Sequence, residues 1–216
     1  MPEPEACLRR SGSWQIWCTD ACQWNAALVT MKGRGPRPKI DEREQFARRL
    51  WYGFRWVDSY ADTTGWWRDP EILGGLGQAL AEMAEDADPD VILAPQSRGT
   101  LVGALVAQYL GIGLIEMRKE VSRLDDTDGW LVARTPLDYR ERNLELGIRG
   151  SRLAPGTRVL FVDDWIATGG QMKAAYTLTE RAHAHWCGTA VIVDGILEPQ
   201  LRREFTVRAL TRVRDL

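Results

Sequence analysis

The chain has 216 residues, 44% of them hydrophobic and 27% charged, which is enough to bury the core of one well-packed domain. A formal net charge of −2 gives no general attraction to nucleic acid or anionic lipid, and no apolar run is long enough to cross a bilayer. The first residues also lack an apolar stretch of signal-peptide length. We therefore expect a cytoplasmic protein with neither a membrane nor a nucleic acid as partner.

Residues 1–39 differ in character from the rest of the chain. They contain three of the four cysteines and three of the ten tryptophans, and they show no countable helical or strand period. We expect a flexible extension over residues 1–39, followed by one domain over residues 40–216. The basic stretch 32–39 is the one candidate in the sequence for nucleic-acid contact, and it is short.

The cysteines and histidines do not form a zinc-binding pattern. Cys18 and Cys22 are four residues apart, but no second pair of ligands follows at a suitable distance. His183 and His185 stand close to Cys187 near the end of a predicted helix, which is a sparse ligand set for a metal. We expect reduced cysteines and no resident metal held by side chains.

Helical and strand patterns alternate along residues 40–197. Apolar residues at helical spacing predict helices, and short apolar runs between turn residues predict buried strands. The predicted elements are helices over 41–51 and 69–87, a strand over 91–95, a helix over 99–111, strands over 113–117, 143–148 and 158–163, a helix over 169–184 and a strand over 189–197. This alternation predicts an α/β domain with a mostly parallel, twisted sheet flanked by helices.

Two stretches within this pattern carry more specific expectations. In the second helix, Leu73, Leu76, Leu80 and Met83 share a stripe at helical spacing, so we expect them to face the core. The polar stretch over 118–136 is long for a connection in a compact domain, and such loops are commonly functional or disordered.

The most specific motif is RVLFVDDWIATGGQMKAA, residues 158–175. An apolar strand ends in Asp163 and Asp164, and the stretch 168–170 (Thr-Gly-Gly) then opens a helix. Free backbone N–H groups at a helix start favour phosphate, whereas paired carboxylates repel phosphate and accept hydrogen bonds from hydroxyls. A phosphorylated sugar carries both groups. Helix capping by the acids and tight strand-to-helix packing at the glycines are the structural alternatives.

This segment resembles the motif with which type I phosphoribosyltransferases bind 5-phosphoribosyl 1-pyrophosphate (PRPP). The resemblance implies that Asp163 and Asp164 hold the ribose hydroxyls. It also implies that the 5-phosphate binds to the loop formed by Ala167, Thr168, Gly169, Gly170 and Gln171. At Gln171 the sequence departs from the family pattern, which has a small hydroxyl-bearing residue there.

Residues 91–120 resemble the adenine phosphoribosyltransferase branch of that family. In this branch a strand leads into a turn that cradles pyrophosphate, and the corresponding residues here are Gln96, Ser97, Arg98 and Gly99. The resemblance implies a cis peptide bond between Gln96 and Ser97. Gln96 replaces an acid of the family pattern, and Thr100 replaces a phenylalanine. A surface salt bridge is the structural alternative for Arg98.

Cations open the long polar loop that follows. The resemblance assigns Arg118, Lys119 and Arg123 to the departing pyrophosphate, whose growing charge must be stabilised as the bond breaks. It also implies that the loop is a flexible lid that excludes water. An ordinary solvated charged loop is the alternative, chiefly for Arg123.

Base recognition is assigned to three residues by the same resemblance. Asp138 takes the position of a glutamate that contacts the purine, with the capping of a turn as its alternative. Phe54 and Trp56 take the position of a base-stacking segment, because a flat aromatic face suits a base. An aromatic pair in the domain core is the alternative for these two. Trp66 and Trp67 belong to an insertion relative to the family pattern.

The resemblance as a whole implies the type I phosphoribosyltransferase fold, with a flexible active-site loop and a small N-terminal hood. The implied reaction moves the phosphoribosyl group of PRPP to a purine, adenine-like base and releases pyrophosphate. The implied catalytic residues are Asp163, Asp164, Arg98 and Asp138, with Mg²⁺ held mainly through PRPP and pyrophosphate, in a homodimer. A non-catalytic PRPP-binding regulator is the alternative. A Rossmann-type sugar-phosphate enzyme is disfavoured because no Gly-x-Gly-x-x-Gly turn occurs in the sequence.

Overall fold

The structure is a computed structural model that describes residues 40–58, 60–119, 129–136 and 143–216, with side chains from residue 44 onward. The predicted extension over residues 1–39 lies outside the described residues, as do Arg123 and Asp138. Within the described ranges, no helix is long and apolar enough to cross a membrane.

The described residues form six α-helices and nine β-strands, besides short 3-10 turns. The helices are α1 (Ile40–Tyr52), α2 (Thr64–Arg68), α3 (Pro70–Met83), α4 (Arg98–Leu110), α5 (Gly170–Arg181) and α6 (Pro199–Glu204). The strands are β1 (Arg55–Val57), β2 (Tyr60–Asp62), β3 (Val91–Pro95), β4 (Gly113–Met117), β5 (Trp130–Arg134), β6 (Glu145–Arg149), β7 (Arg158–Ile166), β8 (His185–Asp194) and β9 (Val207–Arg212).

Five of these strands form one parallel sheet in the order β4-β3-β7-β8-β9. The remaining four strands form two antiparallel pairs, β1 with β2 and β5 with β6. Because β3 and β7 are neighbours and run in parallel, the turns that follow them meet at the same edge of the sheet. The predicted α/β class, with a mostly parallel sheet flanked by helices, is confirmed.

Side chains of the central strands alternate between two cores, one on each face of the sheet. On one face, α3 and α4 close a core that includes Ile92 and Leu160. On the other face, α5 and α6 close a core that includes Leu93 and Phe161. Both faces are therefore buried, which is why these strands read as continuous apolar runs in the sequence.

The buried stripe of α3 differs from the prediction by one residue. Leu73 is 37% exposed, whereas Ile72, Leu76 and Leu80 are completely buried. The helix begins at Pro70, where the Asp69 side chain accepts hydrogen bonds from the first free N–H groups. Ile72 lies with Leu50 and Trp66 in the core on this face of the sheet, so positions 72, 76 and 80 face the core and the prediction for Leu73 is wrong.

The predicted irregular loop over 118–136 contains a strand. β5 runs over Trp130–Arg134 and pairs antiparallel with β6, and the backbone of Arg118 also pairs with Gly147 of β6. β5 bonds only to β6 and not to the main sheet, so its side chains are mostly half-buried and lack a clear strand period. The three-residue strands β1 and β2, together with α2, α6 and β9, were also absent from the prediction.

Helices α1 and α2 and the β1–β2 hairpin precede the main sheet, where the hood was expected. Trp66 of α2 is fully buried, and its indole N–H donates a hydrogen bond to the Leu50 carbonyl oxygen of α1 at 2.8 Å. Trp66 belongs to the apparent insertion, and it joins α1 to α2 in the core of this segment.

The face assignment of α3 can be tested by comparing two leucines. We expect Leu76→Ala to lower the free energy of unfolding by about 2–5 kcal/mol, because it leaves a cavity in a closed core. Leu73→Ala should change it by less than about 0.5 kcal/mol, because the side chain is partly solvated. Urea denaturation of both variants measures the difference, and equal losses would contradict the observed phase of the helix.

Candidate active site

The sequence had suggested that the paired acids stand at the end of the central strand, but the strand continues past them. β7 continues to Ile166, so Asp163 and Asp164 lie just before its last two residues, beside β8. Their exposed fractions are 3% and 6%. Two carboxyl groups are thus held at the carboxyl edge of the sheet with little contact to bulk water.

Burial has an electrostatic consequence for Asp163. Its pKa is raised well above the usual range, first because burial disfavours the charged form and then because the charge of Asp164 is close. The Oδ1 atom of Asp163 accepts a hydrogen bond from the Asp164 backbone N–H at 2.8 Å. The pair therefore keeps a proton to higher pH than two solvated acids would.

Arg98, at the start of α4, faces the second acid. Its Nε atom lies 2.7 Å from Asp164 Oδ2, so the ion pair is made within the site. The N–H direction does not align with that oxygen, and within the described residues Oδ2 receives no hydrogen bond. Asp164 Oδ2 thus faces the Arg98 guanidinium, and a carboxylate oxygen has a second lone pair that can accept a hydrogen bond from a ligand hydroxyl. Arg98 Nη1 donates to the buried Thr63 Oγ1 at 3.2 Å, which links α4 to the start of α2.

The turn between β3 and α4 touches the acids directly. The predicted cis peptide bond between Gln96 and Ser97 is present. Gly99 is buried so tightly that a Cβ atom there would lie 2.7 Å from Asp163 Oδ1 and 2.7 Å from Pro95 Cδ. A residue with a side chain would push the turn away from the acid, so glycine is required by this close approach.

The loop after β7 forms the other wall of the site. Ala167 and Thr168 are exposed, and Gly169 adopts φ +76°, in the left-handed region that favours glycine. α5 then begins at Gly170, so its first N–H groups have no partner within the helix and can receive an anion. A cavity of about 200 Å³ opens here, lined by Thr135, Pro136, Leu144, Asp163, Trp165 and residues 166–172.

The predicted cations Arg118 and Lys119 contact different parts of the structure. Arg118 lies 3.9 Å from Glu116 and lines a separate cavity with Trp130, Arg149 and Arg152. The backbone N–H of Lys119 donates to Gln96 Oε1 at 3.2 Å. Gln96 therefore ties the start of the long loop to the β3–α4 turn, which is a structural use for the residue that replaces the family acid.

Aromatic rings from three segments meet beside the acids. Phe54 is buried in the core, and its ring centroid lies 6.1 Å from those of both Trp66 and Trp165. Trp56 is 49% exposed and contacts both Phe54 and Trp165 edge to face. Of the predicted stacking pair, Phe54 is thus part of the core cluster, and Trp56 keeps an accessible ring.

The sequence reasoning missed three residues of the site. Trp165 lines the cavity next to the loop 167–171. Its place directly after the two acids is the sequence feature that could have indicated it. No local sequence pattern marks Thr63 and Thr135, because the fold brings them to the site from segments that are distant in sequence. No group of three or more His, Cys, Asp or Glu side chains suited to a metal occurs in the part of the chain that the structure describes.

The protonation of Asp163 leads to a pH-dependent stability prediction. Its folded-state pKa is raised, so Asp163 destabilises the fold progressively as pH rises above the ordinary carboxyl range. We expect Asp163→Asn to melt at a higher temperature than the wild type at pH 7. The shift should be about 2–4 °C for each kcal/mol by which the substitution raises the free energy of unfolding.

Thermal melts from pH 3 to pH 8 measure this effect. The two melting temperatures should converge below about pH 4, where the wild-type acid is protonated in both states. Glu44→Gln, at an exposed acid of α1, is the matched control and should give no such trend. A constant difference between Asp163→Asn and wild type at every pH would contradict the raised pKa.

Comparison with known proteins gives a consistent set of relatives. The phosphoribosyl transferase domain family matches residues 68–213. An adenine phosphoribosyltransferase of Desulfitobacterium hafniense is 34% identical over 148 residues, covering 68% of this chain and 82% of that protein. One from a Synechococcus strain is 35% identical over 135 residues, covering 62% of this chain and 76% of that protein.

A solved structure is similar over most of its length. The crystal structure of adenine phosphoribosyltransferase from Rhodothermus marinus superposes with a TM-score of 0.66 at 25% identity, covering 79% of this chain and 99% of that chain. The matched family region begins at the last residue of α2 and ends just after β9. It includes both turns that meet at the acids and leaves out α1 and the β1–β2 hairpin.

Proposed function

This chain belongs to the phosphoribosyl transferase family, and we propose that it transfers the phosphoribosyl group of PRPP to a purine, adenine-like base and releases pyrophosphate. One observation carries the proposal. The buried carboxyl group of Asp163 and a glycine-rich helix start line the same cavity, and Asp164 is buried next to Asp163, as a ligand with sugar hydroxyls and a phosphate requires. The sequence relatives named as adenine phosphoribosyltransferases support the choice of base.

The ribose would bind to the acids and its 5-phosphate to the loop. Asp164 Oδ2 is buried and accepts no hydrogen bond from the described residues, so it suits a ribose hydroxyl donor. Asp163 keeps its proton to higher pH than an ordinary carboxyl group, because burial raises its pKa. Residues 167–171 would hold the 5-phosphate through N–H groups at the start of α5. Held in this way, the ribose carbon that reacts is positioned before the bond breaks.

The leaving pyrophosphate would bind to the turn 96–99. Arg98 supplies a guanidinium at this turn, next to the acids. Arg118 and Lys119 follow β4, and the Gln96 side chain anchors Lys119 to the same turn. With Arg123, these cations would neutralise the negative charge that grows on pyrophosphate as the glycosidic bond breaks. Negative charge on the acid pair would stabilise the positive charge that develops on the ribose.

The base would bind where the aromatic rings meet. Trp165 presents a ring to the cavity, and Trp56 presents one from the hood. Base stacking on such rings contributes about 1–3 kcal/mol per base in other proteins. Phe54 would support Trp165 from behind, and Asp138 would accept a hydrogen bond from the purine.

Mg²⁺ is part of the proposal, and the donor set fits it. The site offers two carboxyl groups, and Mg²⁺ takes oxygen ligands from one or two carboxylates together with substrate phosphates. When bound, Mg²⁺ would offset the charge of pyrophosphate. Asp163 and Asp164 are the residues placed to interact with it, directly or through the ribose hydroxyls.

The expected homodimer and cytoplasmic location also remain part of the proposal. Sedimentation velocity tests whether the protein is a homodimer.

The activity is tested by measuring pyrophosphate release with PRPP and Mg²⁺. Adenine, guanine, hypoxanthine, xanthine, uracil and orotate are offered in parallel, and we expect release with adenine. Release with another base alone would keep the reaction and correct the base. If PRPP raises the melting temperature but no base gives release, the protein is a PRPP-binding regulator. If PRPP has no effect, the proposed site is wrong.

Asp164→Asn tests the role of the acid pair. We expect turnover to fall more than tenfold, because the amide removes a negative charge from the reacting centre. Steady-state kinetics with PRPP and the accepted base measure the loss, with Glu44→Gln as an exposed matched control. Near-normal turnover in Asp164→Asn would remove Asp164 from the mechanism.

A further inference from the structure

One buried hydroxyl lines the candidate phosphate cavity from outside the phosphate loop. Thr135 follows strand β5 and is 8% exposed. Its backbone N–H donates to the Leu144 carbonyl oxygen at 2.9 Å, and its Oγ1 accepts from the Leu144 N–H at 2.9 Å. A hydroxyl can accept and donate at once. Within the described residues the Thr135 hydroxyl only accepts, so its proton is available to a ligand in the cavity.

Thr135 stands directly against the start of α5. A Cβ atom built on Gly170 would lie 3.5 Å from Thr135 Cβ and 3.6 Å from Thr168 Oγ1. Both threonines therefore flank the same glycine, one from β5 and one from the loop. An anion over the first N–H groups of α5 would be within reach of hydroxyls on either side.

The loop itself lacks a hydroxyl at the position that follows the glycines. Gln171 stands there, and its Oε1 atom is buried without a hydrogen-bond partner among the described residues. The amide oxygen only accepts hydrogen bonds, so at this position only the NH2 group could donate to a phosphate oxygen. The loop therefore offers an anion no hydroxyl after the glycines.

We propose that the Thr135 hydroxyl donates a hydrogen bond to the phosphate held by residues 167–171, taking over the role of the hydroxyl that position 171 lacks. This inference rests on the proposed function, since the phosphate is the 5-phosphate of PRPP. The β5–β6 hairpin is then part of the phosphate site, and Leu144 orients the Thr135 hydroxyl by donating its N–H to the oxygen.

The test uses two ligands that share no proposed subsite, ribose 5-phosphate and pyrophosphate. Calorimetric titration of the full chain measures both affinities for wild type, Thr135→Val and Thr135→Ser. Valine keeps the shape of threonine without the hydroxyl, and serine keeps the hydroxyl. We expect Thr135→Val to weaken ribose 5-phosphate binding about tenfold or more, as loss of a hydrogen bond to a charged group does. Pyrophosphate affinity should stay within about twofold, and Thr135→Ser should bind both ligands nearly as the wild type does.

A second variant separates binding from a purely structural role. Thr135→Val also removes the acceptor for the Leu144 N–H, so the hairpin could change locally. Adding Gln171→Thr to Thr135→Val returns a hydroxyl to the site without repairing the hairpin. We expect the double variant to recover most of the lost ribose 5-phosphate affinity.

Three results would overturn the inference. The first is that Thr135→Val binds ribose 5-phosphate with wild-type affinity. The second is that this variant loses affinity for ribose 5-phosphate and pyrophosphate equally. The third is that the double variant recovers no affinity for ribose 5-phosphate. If the wild-type protein binds pyrophosphate but neither ribose 5-phosphate nor PRPP, the proposed function fails and this inference fails with it.

Discussion

Two carboxyl groups, Asp163 and Asp164, are buried side by side near the end of β7, and the candidate site is arranged around the cost of holding them there. Burying an unpaired carboxylate costs several kcal/mol even after local relaxation. Three features reduce that cost: the raised pKa of Asp163, which favours its neutral form, the hydrogen bond from the Asp164 backbone N–H to Asp163, and the Arg98 guanidinium beside Asp164. The fold therefore keeps two acids in low-dielectric surroundings, where their interaction with a ligand is strong.

The order of the sheet brings the rest of the site to these acids. β3 lies next to β7, and in a parallel sheet the carboxyl ends of neighbouring strands open onto one edge. The β3–α4 turn and the β7–α5 loop therefore face each other across the acid pair. Their approach is close enough that Gly99 has no room for a side chain. The proposed pyrophosphate and ribose 5-phosphate subsites both rest on this one juxtaposition.

The segment before the sheet is coupled to the same centre. Arg98 contacts Asp164 with one nitrogen and donates to Thr63 with another, so a single guanidinium joins the acid pair to the start of α2. Trp66 of α2 then packs near Phe54, whose ring stacks on Trp165 of β7. The proposed base site is thus built from the hood and the central strand together, and the matched family model, residues 68–213, covers the strand and leaves out nearly all of the hood.

The residue pattern alone predicted the parallel α/β class and placed the acid pair ahead of a glycine-rich helix start, because each depends on local order along the chain, whereas the family resemblance implied the cis bond in the β3–α4 turn. The sequence also pointed to Arg98, Lys119 and Gln171 by position. Tertiary structure decided which face of α3 is buried, because Ile72 lies in a core with Leu50 and Trp66, which come from other segments of the chain. It also decided that the stretch before Thr135 forms β5, because a strand paired only with β6 needs no strong apolar period. Thr63 and Thr135 entered the site through contacts between distant segments, which no local pattern along the chain encodes, whereas Trp165 directly follows the two acids.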